Sequence, residues 1–235
     1  MAFSEFLESR RARAKALVAA LKEQFEYVSV LGVDTRSKHI MVNANSSGIL
    51  NGDDTECGFV VKINNGGCFF EYSMDDIGAD IPAAAAQVKE SFTVSKLLRE
   101  GSIDRIVLKD EPLVQSFARP TDLASYSDKD VLSFVQKMQK ELQAKSEHIL
   151  NAMIRVSTLE VSKLFVSANR ELDQNYTWIN GFMGLAYREN DKTVQVFGFC
   201  DSANMADVMA ELPGKMDGLV DRAHHLTLAK PIEPG

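Results

Sequence analysis

The chain has 235 residues, 45% hydrophobic and 25% charged, which is ordinary globular composition and long enough to bury a core without staples. Its formal net charge of −7 repels phosphate backbones and argues against a nucleic-acid partner. The opening residues lack the basic-then-apolar order of a secretory leader, and no apolar run approaches the ~18 residues of a membrane span. The expectation is therefore a soluble, cytoplasmic protein with no membrane partner.

Phe3, Phe6, Leu7, Ala14, Leu17, Val18 and Leu21 recur at helical spacing, so residues 4–24 read as an amphipathic helix. Two short strands follow over residues 27–34 and 38–45, separated by Thr35-Arg36-Ser37, and the Ser, Gly, Asn and Asp of residues 46–54 favour a turn. Residues 55–63 and 68–73 are two more strands joined by Asn64-Asn65-Gly66-Gly67, because Asn-Gly supplies the positive φ of a tight hairpin. A second helix starts with Asp80 as N-cap and Pro82 in its first turn, buries Ala85, Val88 and Phe92, and stops at Gly101. Residues 101–127 are mixed; residues 103–108 suit a short strand, and the remainder looks like a connector.

The order then recurs. Val131, Phe134, Val135, Met138 and Leu142 form an amphipathic stripe behind a capping box at Ser127 to Asp130. Residues 149–157, 162–168, 174–188 and 193–200 read as four strands, with a polar hairpin turn at residues 188–192. A last helix begins near Ser202, is broken by Pro213-Gly214, and resumes through Met216, Leu219, Val220 and Ala223. Val42-Asn43-Ala44-Asn45 in the first half answers Val166-Ser167-Ala168-Asn169 in the second. The reading is an α+β fold of duplicated helix–four-strand–helix repeats with a mostly antiparallel sheet. Its segments are residues 1–100, a connector at 101–128, a second repeat at 129–228 and a linker at 229–235.

Chemical motifs are scarce. A helical zinc site needs two histidines about one turn apart, and His39, His148, His224 and His225 offer no such pair. Cys57, Cys68 and Cys200 are odd in number and lack a Cys-x-x-Cys, so they read as reduced thiols, with a Cys57–Cys68 pair across the hairpin as a minor alternative. Nucleophile elbows and phosphate loops are missing. Arg10-Arg11-Ala12-Arg13-Ala14-Lys15 reads as the solvated side of the first helix, and the acidic pairs as turn residues. No catalytic and no metal residue is therefore assigned. One candidate binding feature stands out: Asn169 opens a polar stretch before the longest strand, which carries Tyr176, Trp178 and Tyr187. An aromatic row on a strand either packs a core or lines a cleft for an extended peptide, where strand addition supplies backbone hydrogen bonds.

The opening helix, residues 27–45, Glu56-Cys57-Gly58-Phe59-Val60-Val61, the Val166-Ser167-Ala168-Asn169 strand and the last helix running into Ala229-Lys230-Pro231 resemble the amino-terminal domain of TldD/PmbA proteins. The resemblance implies a duplicated amino-terminal region that precedes a carboxy-terminal domain. In TldD members that domain carries a His-Glu-x-x-x-His zinc motif. It implies a parent zinc metallopeptidase acting on unfolded or extended peptides, in a family also labelled a modulator of DNA gyrase. No cofactor belongs to this chain on that reading; zinc is expected in the missing carboxy-terminal domain. The implied partners are that domain, a homodimer or PmbA/TldD-like heterodimer, and a peptide substrate. The rival expectation is a stand-alone peptide- or protein-binding scaffold without peptidase activity.

Overall fold

The computed structural model describes residues 2–65, 68–97 and 108–230. The first helix, α1 (Glu5–Lys22), is capped by Ser4, whose hydroxyl accepts from the Leu7 N–H at 3.1 Å. Its buried stripe is Leu7, Ala14, Leu17, Val18 and Leu21, the i, i+3/i+4 set read from the sequence. Strands β1 (Tyr27–Val42), β2 (Ser47–Asn51), β3 (Glu56–Asn65) and β4 (Cys68–Met74) follow, then α2 (Ile81–Leu97). Asp80 caps α2 as expected, its carboxylate accepting from the Ala83 N–H at 3.0 Å. The expected stop at Gly101 and all but the last residue of the strand expected over 103–108 fall on residues 101–107, which, like 66 and 67, lie outside the described residues.

After β5 (Leu113–Ala118) comes α3 (Asp128–Gln143), which opens on the predicted capping box: Ser127 and Asp130 each bond the other's backbone. Strands β6 (Ile149–Ser167), β7 (Arg170–Glu189) and β8 (Lys192–Ser202) precede α4 (Met205–Glu211), a 3-10 turn through Pro213, and α5 (Met216–Leu228). Asn190 and Asp191 turn the β7–β8 hairpin with φ of 52° and 58°, the left-handed pair that a two-residue hairpin requires. No helix among the described residues is long and apolar enough to cross a membrane.

The fold class read from the sequence stands: α+β with mostly antiparallel strands. Several boundaries differ. The gap expected at Thr35-Arg36-Ser37 is bridged by one continuous strand. Thr35 and Ser37 are buried there, and the Thr35 hydroxyl donates to the Glu56 carbonyl and accepts from its N–H, so Thr35 is satisfied inside the ladder. Past that point β1 changes partner, from β3 (Thr35 opposite Glu56) to β2 (Lys38 opposite Asn51). Residues 46–54, expected to be a turn, contain β2. The turn proper is 43–46, where the Asn43 side chain accepts from the N–H groups of Asn45 and Ser46. In the second half, the two strands expected over 149–168 are the single β6, so that half holds three strands, not four. The connector contains β5, which runs parallel to β7 at the register Leu113 opposite Arg170. In the β3–β4 hairpin Cys68 is opposite Asn65, while Cys57 is opposite Asp34 of β1, so the register does not place the two cysteines across from each other.

Two compact units are present, and neither coincides with a sequence half. The first comprises Met1–Thr35, Thr55–Arg119 and Val161–Tyr176. Its strand order is β4-β3-β1-β6-β7-β5, and its core joins Leu7, Leu17 and Leu21 of α1 and Val88 of α2 to Val30, Val61 and Ile63. Leu164 and Val166, from the second sequence half, complete that core. The second unit comprises Arg36–Asp54, Pro120–Glu160 and Thr177–Gly235. There β2 pairs with β1 and β8 with β7, and α3, α4 and α5 contribute to a core that takes Ile40 and Val42 from the first sequence half. Each half thus lends a hairpin arm to the unit built mainly by the other. The two Val-x-Ala-Asn matches sit at the tips of these arms, where β1 and β6 end.

Because Leu164 is fully buried in a core assembled mainly from the first half, Leu164→Ala should cost ~2–5 kcal/mol. Denaturant unfolding with an unchanged m-value is the check; a loss near zero would mean that the arm is not part of that core.

Candidate functional site

Strand alternation decides which side chains are available in the second unit. Along β7, Thr177, Ile179, Met183, Leu185 and Tyr187 are buried, and all but Thr177 belong to the core to which α3, α4 and α5 contribute. The intervening residues, Trp178, Asn180 and Phe182, face the other way. Trp178 is 47% exposed, and on the neighbouring β8 Phe197 and Phe199 are 51% and 63% exposed. Phe199 is directly opposite Phe182, and the Phe182 and Phe197 rings lie 5.7 Å apart. This face of the sheet is aromatic and open. Monomeric domains rarely leave such surface bare unless something docks there.

A groove of about 270 Å³ runs beside this aromatic surface, lined chiefly by Ser37, His39, Arg155, Ser157, Trp178 and Asn180, with Asp54 also on its wall. His39 Nδ1 lies 2.8 Å from the Ser157 hydroxyl, and the Asn180 amide donates to Asp201 at 2.9 Å. Gly52 packs against two of these residues, Ser37 and His39. A Cβ there would meet Ser37 Oγ at 2.1 Å and His39 Nε2 at 2.7 Å, so only glycine allows the loop after β2 to lie this close. The Arg155 guanidinium carbon is 5.0 Å from the centre of the Phe182 ring.

The four residues singled out from sequence divide between the two units. Asn169 closes the β6–β7 turn in the first unit, donating to the Asp110 carbonyl at 3.0 Å. Tyr176 is half-buried there, with the Lys163 ammonium 5.9 Å from its ring. Trp178 and Tyr187 belong to the second unit but face opposite sides of β7. Tyr187 is 3% exposed, part of the core, and donates its phenol to Glu189 at 3.1 Å. The polar stretch after Asn169 is engaged within the protein. Arg11 bonds Glu171 and Asp173, each at 3.1 Å, and Lys15 bonds Glu171 at 2.6 Å. Those bonds hold the Glu171 carboxyl below its usual range, Lys15 first among them. The basic cluster on α1 is thus an ion-pairing face, with Arg10 clasping Asp76 at 3.0 Å through two nitrogens, and not merely a solvated one.

Sequence reasoning missed His39, Arg155, Phe182, Phe197 and Phe199 as site residues. The available signal was parity: Trp178 and Phe182 are even-numbered on β7, whereas Tyr187 is odd. It also missed a pairing of histidines. His224 Nδ1 lies 2.6 Å and His148 Nε2 3.8 Å from Glu189, which joins α5 and the α3–β6 junction to the end of β7. Among the described residues, no group of three or more His, Cys, Asp or Glu side chains is arranged to hold a metal ion.

The His224 hydrogen bond, then that of Tyr187, holds the Glu189 carboxyl below its usual range. A carboxyl depressed in the folded state stabilises above its unfolded pKa of ~4.3, and that contribution is lost as pH falls through the folded value. Glu189→Gln should therefore lower the melting temperature at neutral pH and flatten its fall on acidification. A melting series in which wild type and variant fall in parallel would contradict the assignment.

No protein-family model and no curated protein matches the chain. Solved structures do. A protein described as a putative modulator of DNA gyrase from Bacteroides thetaiotaomicron aligns with a TM-score of 0.70 and 13% identity, covering 97% of this chain and 52% of that one. Its namesake from Thermotoga maritima aligns at 0.69 and 14%, covering 97% and 50%. TldE from Thermococcus kodakarensis aligns at 0.63 and 12%, covering 91% and 46%. The chain spans about half the length of each of these proteins. At this identity the likeness is one of architecture: the chain has the fold of the gyrase-modulator and TldE proteins, the TldD/PmbA group that its sequence resembles.

Proposed function

We propose that the chain is the non-catalytic half of a TldD/PmbA-type zinc metallopeptidase, shaping the cleft by which unfolded or extended peptides reach a metal centre carried elsewhere. The observation that carries this reading is the fold match, which takes in nearly all of this chain and only half of each neighbour. The open aromatic face of the second unit supports the peptide part. An extended chain lying on Trp178, Phe197 and Phe199 would bury apolar area worth ~25 cal/mol per Å². A cytoplasmic location and a homodimer or PmbA/TldD-like heterodimer belong to the same proposal.

A second reading, a stand-alone peptide- or protein-binding scaffold, is favoured by β5. This edge strand is exposed along its whole length, with Val114 at 81% and Phe117 at 52%, and such an edge offers a template for an added strand.

Trp178 is the only tryptophan, so its emission reports on the open face alone. Titration with a reduced, unfolded peptide should shift that emission saturably, and Phe199→Ala should weaken binding ~5- to 30-fold, as loss of a buried aromatic at an interface costs ~1–2 kcal/mol. Unchanged emission at saturating peptide would remove the cleft reading.

Metal analysis of tag-free protein should find no stoichiometric zinc, and the chain alone should cleave no peptide. Cleavage should appear on adding a polypeptide that carries the His-Glu-x-x-x-His motif. Chelator-sensitive cleavage by the chain alone would overturn the assignment, and persistent inactivity with that polypeptide would favour the scaffold.

A further inference from the structure

Arg155 is the unexplained residue of the open face. It makes no hydrogen bond and no ion pair among the described residues, and its Nε is buried without a partner. In a chain with 33 acidic against 26 basic residues, an arginine left without a carboxylate calls for a reason. Burying that Nε without a partner is costly, since the donor loses water and gains nothing in exchange. The residue is nonetheless held in place, because the face of Phe182 lies 5.0 Å from its guanidinium carbon. The ring covers the guanidinium carbon, and the terminal N–H donors, which bond nothing among the described residues, remain to meet a planar acceptor.

The surroundings narrow what that acceptor is. The groove is about 270 Å³, just under the ~300 Å³ lower end of ligand pockets. A volume of that size suits the terminal residue of a peptide. Arg155 is its single permanent cation, supported by the His39–Ser157 pair. Asp54, its one carboxylate, is exposed and has an interaction of its own, so water screens its repulsion of a single negative charge. Against a doubly charged phosphate that repulsion is twice as large. Trp178 forms an apolar wall beside the same groove.

We propose that this groove is a carboxylate subsite in which the Arg155 fork holds the free carboxy-terminus of an extended peptide, with the last side chain against Trp178. The inference rests on the peptide reading above for the source of the carboxylate, though not for the carboxylate chemistry itself.

The test uses the full chain and the indole N–H resonance of Trp178. An N-acetylated dipeptide acid is titrated beside the same dipeptide as its amide, beside an amide with a glutamate side chain, and beside inorganic phosphate. The acid should shift the indole resonance, and the plain amide should bind about 10- to 100-fold more weakly, the worth of one charge-assisted pair. Arg155→Gln should abolish the preference for the acid, and Arg155→Lys, which keeps the charge without the fork, should retain only part of it. If Arg155→Gln does not fold, the acid–amide comparison in the wild type and the lysine variant still decide. Equal binding of acid and amide, tighter binding of phosphate, or an acid preference that survives in Arg155→Gln would overturn the subsite. Binding of the glutamate amide as tight as that of the acid would transfer the site to acidic side chains and overturn the terminal assignment. Long peptides that bind equally well as acids and amides would sink the subsite and spare the peptide cleft. A dipeptide acid that binds as tightly as any long peptide would spare the subsite and sink the cleft.

Discussion

The fold depends on a matter of length. Strands β1, β6 and β7 have 16, 19 and 20 residues, against the 5–6 typical of a strand. Strands of that length run past the core they begin in. β1 starts opposite β3 and ends opposite β2, and β6 gives Ile154 and Val156 to one core and Leu164 and Val166 to the other. At the crossing point of β1 the buried Thr35 hydroxyl is satisfied by two hydrogen bonds to the Glu56 backbone. Each core is thereby built from residues far apart in sequence, and neither sequence half holds a complete hydrophobic interior of its own.

That constraint also explains which features were legible in the sequence. The helices, their caps and the tight turns were, because their signals are local: the Ser127–Asp130 box, Asp80 and the break at Pro213-Gly214 each act within a few residues. Strand ends were not. Thr35-Arg36-Ser37 and residues 46–54 have turn-like composition, and only pairing with a distant strand makes them extended. The Val-x-Ala-Asn repeat did mark equivalent places, but it marked the tips of exchanged arms and not the bodies of two separate repeats.

The candidate site was legible only in part, for the same reason. Tyr176, Trp178 and Tyr187 formed a row in sequence, yet a strand alternates, so Tyr187 entered the core while Trp178 stayed exposed. The acidic stretch after Asn169 offered itself as a ligand surface, but α1, some 160 positions earlier, satisfies it through Arg11 and Lys15. Arg155 carried no motif at all. Its interest arises from what its neighbours do not provide, and an unmet donor is invisible until every neighbour is known.

The exchanged arms also govern the order in which the protein can be made. The first unit needs Val161–Tyr176 for its strand order and for the Leu164 and Val166 portion of its interior. On a ribosome it therefore waits, with Leu17, Val61 and Val88 uncovered on that side, until Tyr176 has emerged. By then the elements of the second unit from β2 to β6 have been synthesised as well, while its interior still waits for Leu185, Val196 and the residues of α4 and α5. A nascent chain halted anywhere before β7 exposes apolar strand surface and is a natural client for chaperones that hold extended segments.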